Sequence, residues 1–312
     1  MALLALLAEW NGSTTFLFAA TVDHGLRSES SQEAELVASF ARQQNVPHTT
    51  LNWSGAKPTT GIQSAAREAR YALLVDHAQL LGCSSIATAH HADDQAETVL
   101  MRLIAGSGIH GLAGMRGEVM RAGVALKRPF LSVPKSRLIA TCVSRGAPYI
   151  TDPSNSEERY GRVKIRRLLA ELEQDGLTVA RLCKLADRAA EANDALDATA
   201  KQVFSGLALK STECLVQFHW NKVSSQPKDI RLRVLLAVLR RSPAFKNQLR
   251  LERVEALLAD IDLAYSKQLR TRRTLSDLVL TLQSSGLLTI TMAPTRKRGT
   301  NPRVGTVLGI TV

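Results

Sequence analysis

His90-His91-Ala92-Asp93-Asp94-Gln95-Ala96-Glu97-Thr98 sets two imidazoles and three carboxylates within nine residues, directly after the apolar run Ser84-Ser85-Ile86-Ala87-Thr88-Ala89. A short apolar segment that ends in acids and imidazoles reads as a strand delivering its last residues to the carboxyl edge of a parallel sheet. Open α/β folds place their sites at that edge. The plainer reading is a solvated helix start, with Asp93 or Asp94 serving only as a cap. The flanking chain favours the first. Thr14–Val22 is a second short apolar stretch of β-formers, closed by the loop Asp23-His24-Gly25-Leu26-Arg27. Residues 2–10, Ser31–Asn45, Gly61–Gly82 and Asp94–Ile104 read as helices, and Pro47–Trp53 as another strand. This alternation predicts parallel βαβ units.

Further along, Gly106-Ser-Gly-Ile-His-Gly-Leu-Ala-Gly114 is a glycine-rich loop. It lacks the Lys-Ser/Thr of a Walker loop and the preceding strand of a dinucleotide fingerprint. Val124–Arg128 reads as a strand stopped by Pro129, and Pro134–Ser144 as a helix with proline near its start. Gly161–Gly206 and Ile230–Arg241 read as helical, and Val254–Tyr265 as helices and turns. Leu278–Leu282 and Leu287–Met292 read as a hairpin across Gln-Ser-Ser-Gly. The expected organisation is an α/β catalytic domain over residues 1–156, a mainly helical basic region over 157–293 and a flexible tail over 294–312.

Composition narrows the function. With 312 residues, 45% hydrophobic and 22% charged, the chain is globular and long enough for more than one domain. Residues 1–150 carry 13 Lys and Arg against 11 Asp and Glu, and residues 151–312 carry 27 against 17. A near-neutral first half beside a second half of net +10 points to a catalytic module joined to a surface for a polyanion. A basic, solvated helical surface is the bland alternative. Cys83, Cys142, Cys183 and Cys214 form no C-x-x-C pair and no zinc spacing, as expected of reduced thiols in a cytoplasmic protein. The apolar opening Met1–Ala8 has no basic flank and ends at Glu9, too short for a membrane span.

Seven motifs in order then resemble one family, the tRNA(Ile)-lysidine synthetases of the N-type ATP pyrophosphatase, or PP-loop, superfamily. They are Val22-Asp-His-Gly-Leu-Arg27, Gln63-x-x-Ala-Arg67-x-x-Arg70-Tyr71, the His90–Thr98 cluster, Gly106-Ser-Gly-x-x-Gly-Leu-x-Gly-Met115, Arg128-Pro-Phe-Leu131, Asp152-Pro-Ser-Asn155 and the pair Arg162-x-x-x-Arg166. The match covers roughly residues 1–170; beyond it only the basic, helical character agrees. The resemblance implies a Rossmann-like parallel sheet with flanking helices. Family members carry a Ser-Gly-Gly-x-Asp-Ser loop, which offers backbone amides to ATP's pyrophosphate, just before a segment like Met1–Leu7. This chain starts just after that loop, with the first strand and the loop missing. An in-frame upstream extension of roughly 20 to 30 residues, enough to complete a βαβ unit, is therefore expected. An in-frame stop directly upstream would contradict it, and as written the chain is not expected to bind ATP well.

The resemblance also implies a reaction. ATP, with Mg²⁺, adenylates the C2 oxygen of the wobble cytidine in a tRNA(Ile) bearing a CAU anticodon, and the ε-amine of free L-lysine then displaces AMP to form lysidine. The amine must lose a proton first, which calls for a nearby carboxylate or imidazole. Asp94, Asp93 and His90 are the candidate catalytic residues: Asp94 to grip or deprotonate the ammonium, Asp93 as its rival or as a loop anchor, His90 by the phosphates or the leaving oxygen. His91 is read as a structural or capping residue. For nucleotide binding the candidates are Asp23, His24, Arg67, Arg70, Gly106 and Gly108, where Arg67 and Arg70 share a helix face that suits AMP or tRNA phosphate. Arg128, Arg162 and Arg166 are read as tRNA contacts. A metal site is not assignable, and a homodimer is a possible assembly.

Three other readings stay open. A PP-loop tRNA thiolase would share the fold, but its usual paired cysteines are absent. A metal-dependent phosphoesterase would use Asp23, His24, His90, His91, Asp93 and Asp94 as ligands, a donor set that suits divalent metals. A non-catalytic RNA-binding remnant would keep the basic half alone.

Overall fold

The computed structural model describes residues 1–10, 16–25, 30–55, 57–149, 161–212, 215–242 and 250–293, except the side chains at 161 and 162. Two compact units divide the chain, Met1–Asn193 and Asp194–Val312.

In the first unit the order is α1 (Ala2–Trp10), β1 (Ala19–Asp23), α2 (Ser30–Gln43), β2 (His48–Asn52), α3 (Ile62–Leu80), β3 (Ser85–Ala87), α4 (Ala92–Ile104), α5 (Ile109–Leu112), β4 (Glu118–Arg121), β5 (Val124–Lys127), α6 (Lys135–Ser144), α7 (Gly161–Gln174) and most of α8 (Val179–Ser205). β1 runs parallel to β2, and β3 parallel to β5. The expected single sheet is instead two, β1-β2 and β3-β5-β4, with no ladder joining β1 to β3 among the described residues. Helices α1 and α4 each bury one face. On α1 it is Ala2 and Ala5, set against Phe40, Cys142 and Ala147. On α4 it is Ala96 and Val99, packed with Leu182 and Ala186 of α8. The apolar opening is thus a core helix.

β4 has no counterpart in the sequence expectation, because four residues, Glu-Val-Met-Arg, carry too little alternation to register. It pairs antiparallel with β5 across a two-residue turn in which Ala122 (φ 46) and Gly123 (φ 83) are both left-handed. That is the turn whose twist suits a hairpin, though it favours Asn-Gly over Ala-Gly. Ala122 bears the left-handed cost of about 1 kcal/mol, so Ala122→Gly should stabilise the unit. Glycine's greater freedom in the unfolded chain reduces the net gain to roughly a few tenths of a kcal/mol. A rise in the urea midpoint checks it, and a fall would show that the turn is not strained.

The second unit corrects the expectation of a mainly helical region. Helices α9 (Asn221–Ser224), α10 (Lys228–Arg241) and α11 (Leu251–Ser266) accompany a five-stranded antiparallel sheet ordered β6 (Lys210–Ser211), β7 (Leu215–His219), β10 (Leu287–Met292), β9 (Leu278–Leu282), β8 (Thr271–Leu275). The hairpin β9–β10 lies where the sequence pattern puts it. β7 escapes that pattern because only Val216 and Phe218 alternate inward, and β8 because Leu275 is its one buried residue. The core is built from Phe218, Trp220, Leu235, Leu239, Leu258, Ile261, Leu280 and Ile290, among others. Trp220 Nε1–H donates to Asp262 Oδ1 at 3.2 Å, and Arg231 sits 3.3 Å from Oδ2. Burial pushes the Asp262 carboxyl above its ordinary value while Arg231 opposes that shift.

Among the described residues no helix is long and apolar enough to cross a membrane. Cys83, Cys142 and Cys183 are free thiols, and burial, with Asp187 and Asp93 adding to it, pushes Cys183 up to about 11. A thiol so raised is no nucleophile. Cys214, the Asp152–Asn155 motif and the tail from Pro294 lie outside the described residues.

Candidate active site

β1 ends on Asp23, whose two oxygens organise the following turn. Oδ1 accepts the Gly25 backbone N–H at 2.7 Å and Oδ2 accepts the Ser31 hydroxyl at 3.3 Å. The Gly25 bond is the main reason its carboxyl lies below its ordinary value. Gly25 is left-handed (φ +54), which glycine permits without strain.

His24 is held by Arg70 of α3, whose Nε donates to His24 Nε2 at 3.3 Å and whose Nη2 lies at 3.1 Å. Trp53 meets the imidazole edge to face at 5.9 Å. Because Nε2 accepts from a guanidinium, the ring proton belongs on Nδ1, a buried atom with no hydrogen-bond partner among the described residues. Lys57 closes the group, donating to the Gly25 carbonyl at 2.8 Å. Burial first, then the Arg70 charge, lowers His24 below its ordinary 6.5. A histidine so depressed stabilises the fold above 6.5, and that contribution is lost as pH falls through the lower folded value. Melting temperature should therefore drop between about pH 7.5 and about pH 5.5, the range in which histidine gains its charge. The drop should shrink in His24→Gln, leaving the part due to His48, which burial lowers in the same direction. An equal drop in both proteins would remove His24 from the account.

β3 leads into the second loop. Thr88 Oγ1 pairs with His90 Nδ1 at 2.9 Å, and the Thr88 N–H is tied to the Lys127 carbonyl at the end of β5. His91 starts α4 with a reciprocal cap. Its Nδ1 accepts the Asp94 N–H at 3.4 Å while its own N–H donates to Asp94 Oδ2 at 3.1 Å. Asp93 Oδ2 lies 3.5 Å from His91 Nδ1 and accepts the Lys135 N–H at 2.9 Å in the first turn of α6. Each of the three carries a helix end, so the plain capping role is real here. Asp94 nevertheless keeps Oδ1 without a hydrogen bond among the described residues, and its side chain is 21% exposed.

The remaining candidates fall elsewhere. Gly106 is a left-handed residue ending α4 and Gly108 caps α5. Their loop is pinned to α4 by two side chains that none of the sequence-derived candidates include. Buried Gln95 donates Nε2–H to the Met115 carbonyl at 3.0 Å and accepts the Met115 N–H at 2.7 Å. Arg102 Nη1 donates to the carbonyls of Gly111 and Gly114 at 2.7 and 2.8 Å. Polar side chains spaced with the apolar residues of α4, Gln95 beside Ala96 and Val99, are the signal that could have found them. Arg67 lies over the Tyr71 ring at 5.1 Å, and Arg128 is buried, donating to the Arg116 carbonyl at 2.8 Å. Arg166 Nε donates to Glu97 Oε1 at 2.6 Å, so that group is committed to a buried carboxylate. The Arg162 side chain lies outside the described residues. Among the described residues no three His, Cys, Asp or Glu side chains converge as metal ligands, so the phosphoesterase reading lacks its donor set.

Comparison with known proteins identifies the family. Residues 1–173 match the family model described as a PP-loop domain. The chain is similar to a tRNA(Ile)-lysidine synthase of Rhodopseudomonas palustris, 41% identical over 310 residues that span 96% of this chain and 89% of the relative. It is likewise similar to that of Methylobacterium nodulans, 43% identical over 283 residues, or 90% and 83% of the two chains. Among solved structures, the U34-tRNA thiolase NcsA from Methanococcus maripaludis with its [4Fe-4S] cluster superposes with a TM-score of 0.53 at 17% identity, covering 61% of this chain and 68% of that one, a likeness of fold alone. A PP-loop match over more than half of the chain, with relatives of this identity along nearly all of it, means that the chain belongs to the tRNA(Ile)-lysidine synthase family.

Proposed function

We propose that the chain ligates free L-lysine to C2 of the wobble cytidine of a tRNA(Ile) with a CAU anticodon, through a tRNA adenylated by ATP with Mg²⁺. ATP supplies the leaving group, converting the C2 oxygen into one that departs with AMP. The observation that carries the chemistry is the end of β3, where a carboxylate with one open oxygen, Asp94 Oδ1, follows an imidazole fixed by Thr88. A lysine amine, with an ordinary pKa of about 10.4, is protonated at neutral pH and unreactive until it sheds a proton. Asp94 attracts and orients the ammonium and takes that proton, and His90 serves the departing oxygen.

At the end of β1, the buried Nδ1–H of His24 is a donor awaiting an acceptor, and Asp23, Lys57 and Arg70 surround it with the polar groups a nucleotide requires. The basic residues from 157 onward grip the tRNA backbone. The test is transfer of labelled lysine to a tRNA(Ile) transcript with a CAU anticodon, against a CAG transcript as control. ATP-dependent labelling of the first alone is expected. No labelling by the full-length protein in the presence of ATP and Mg²⁺ would overturn the reading.

A further inference from the structure

A cavity of about 270 Å³ in the first unit is lined by Arg67, Arg102, His110, Arg116, Arg128 and Asn193, with apolar and glycine residues between them. Four arginines line it, and no Asp or Glu is among the described lining residues. Like charges gathered around a space with no carboxylate among its described lining residues repel one another, and such an arrangement suits a site that an anion completes.

The cavity is built rather than incidental. Arg128 is only 7% exposed, and its Nε is a buried donor with no partner among the described residues. Arg102 is fixed by its two glycine carbonyls, and Arg67 by the Tyr71 ring. Burial, and then the Arg67 charge, lowers Arg102 below its ordinary value, the direction expected when a cation is desolvated beside another. Arg128 directly follows β5, and β5 lies beside β3, the strand that delivers His90 and Asp94. The cavity thus opens one strand away from the proposed reaction edge.

We infer that this cavity binds a backbone phosphate of the tRNA, close to the nucleotide that reacts, and so holds the anticodon loop in register. The inference rests on the proposed tRNA substrate. A phosphodiester fits better than a phosphate of ATP, because the triphosphate arrives with Mg²⁺, which is normally held through carboxylates as well as phosphate oxygens. No carboxylate among the described lining residues is there to share that metal. Arg67, whose helix position suited either AMP or tRNA, belongs to the RNA on this assignment, together with Arg102, Arg116 and Arg128.

The test uses the full chain with Arg67→Gln, Arg116→Gln and the double variant, both sites being partly exposed. Arg128→Gln serves as a third variant, since its burial makes it the one that can fail to fold. Binding of a tRNA(Ile) transcript with a CAU anticodon is measured across a series of KCl concentrations, and binding of Mg·ATP is measured in parallel. The double variant should bind tRNA about tenfold more weakly. Its dependence of log K on log salt should be shallower by roughly 0.7 to 0.9 for each phosphate that is no longer neutralised. The Mg·ATP affinity should stay as in the parent. Unchanged tRNA affinity and slope would overturn the inference. So would a matching loss of Mg·ATP affinity, which would make the cavity a nucleotide site. A parent chain that binds tRNA through this cavity, with the slope change in the variant, yet transfers no lysine, would leave the phosphate site standing and the proposed reaction refuted.

Discussion

Arg166→Ala should lower stability by about 3 kcal/mol, the low end for breaking a buried ion pair. Glu97 has 5% of its side chain exposed and sits on α4 between Ala96 and the packed Val99. Its Oε1 accepts from Arg166 at 2.6 Å, while Oε2 is already buried without a partner among the described residues. Removing the guanidinium strands a desolvated carboxylate, which costs far more than the pair's net worth. The low end applies because the Arg166 side chain is itself 36% exposed, so water replaces part of the interaction. Adding Glu97→Gln to Arg166→Ala should recover most of the stability, since a neutral amide tolerates burial better. Denaturant unfolding of the parent, both single variants and the double variant decides it. A loss below about 1 kcal/mol for Arg166→Ala, the value of an exposed pair, would mean that water reaches Glu97 freely.

Asp94→Asn should reduce lysine transfer at least about a hundredfold, the usual lower bound for losing a general base. The substitution isolates charge from architecture. Asn keeps a carbonyl oxygen where Oδ2 accepts the His91 N–H, so the start of α4 survives and tRNA binding should be unchanged. Asp93→Asn serves as the comparison, because it also keeps an acceptor for the Lys135 N–H while removing a charge. Near-parental turnover by Asp94→Asn would transfer the proton-accepting role to Asp93. Single-turnover assays at saturating lysine separate loss of chemistry from loss of lysine affinity.

Most strands and helices of the first unit are legible in the sequence because their periodicities are long or their ends are chemically marked, β3 by the acids after it and α3 by nineteen residues of helical pattern, whereas β4 and the single turn α5 are too short to register. The break into two sheets is not legible, since pairing partners are not written in local pattern. The basic half misleads for a different reason. Strands such as β8, with two adjacent arginines and one buried leucine, look like solvated helix surface until a neighbouring strand is seen to hold them. At the site, residue type reveals the loops but not the directions in which side chains point. Asp93 and Asp94 are adjacent in sequence, yet they cap different helices. Arg166 looks free to meet RNA because its partner, Glu97, lies 69 residues away in the chain.

The outer strand β8 has a consequence for how the molecule behaves at high concentration. One margin of the antiparallel sheet is β6, only two residues long, and the other is β8, which carries Arg272 and Arg273 exposed. Open margins of backbone amides and carbonyls invite a neighbouring molecule to add a strand, and shortness or positive charge discourages it. Arg273 is tethered to Asp260 at 2.6 Å, and Arg272 is exposed beside it. The arginines of β8 therefore discourage strand addition at that margin, whether or not RNA is present. Neutralising that strand to probe nucleic-acid affinity would exchange a weaker electrostatic footprint for colloidal stickiness, and light scattering would register the second change before any binding assay registered the first.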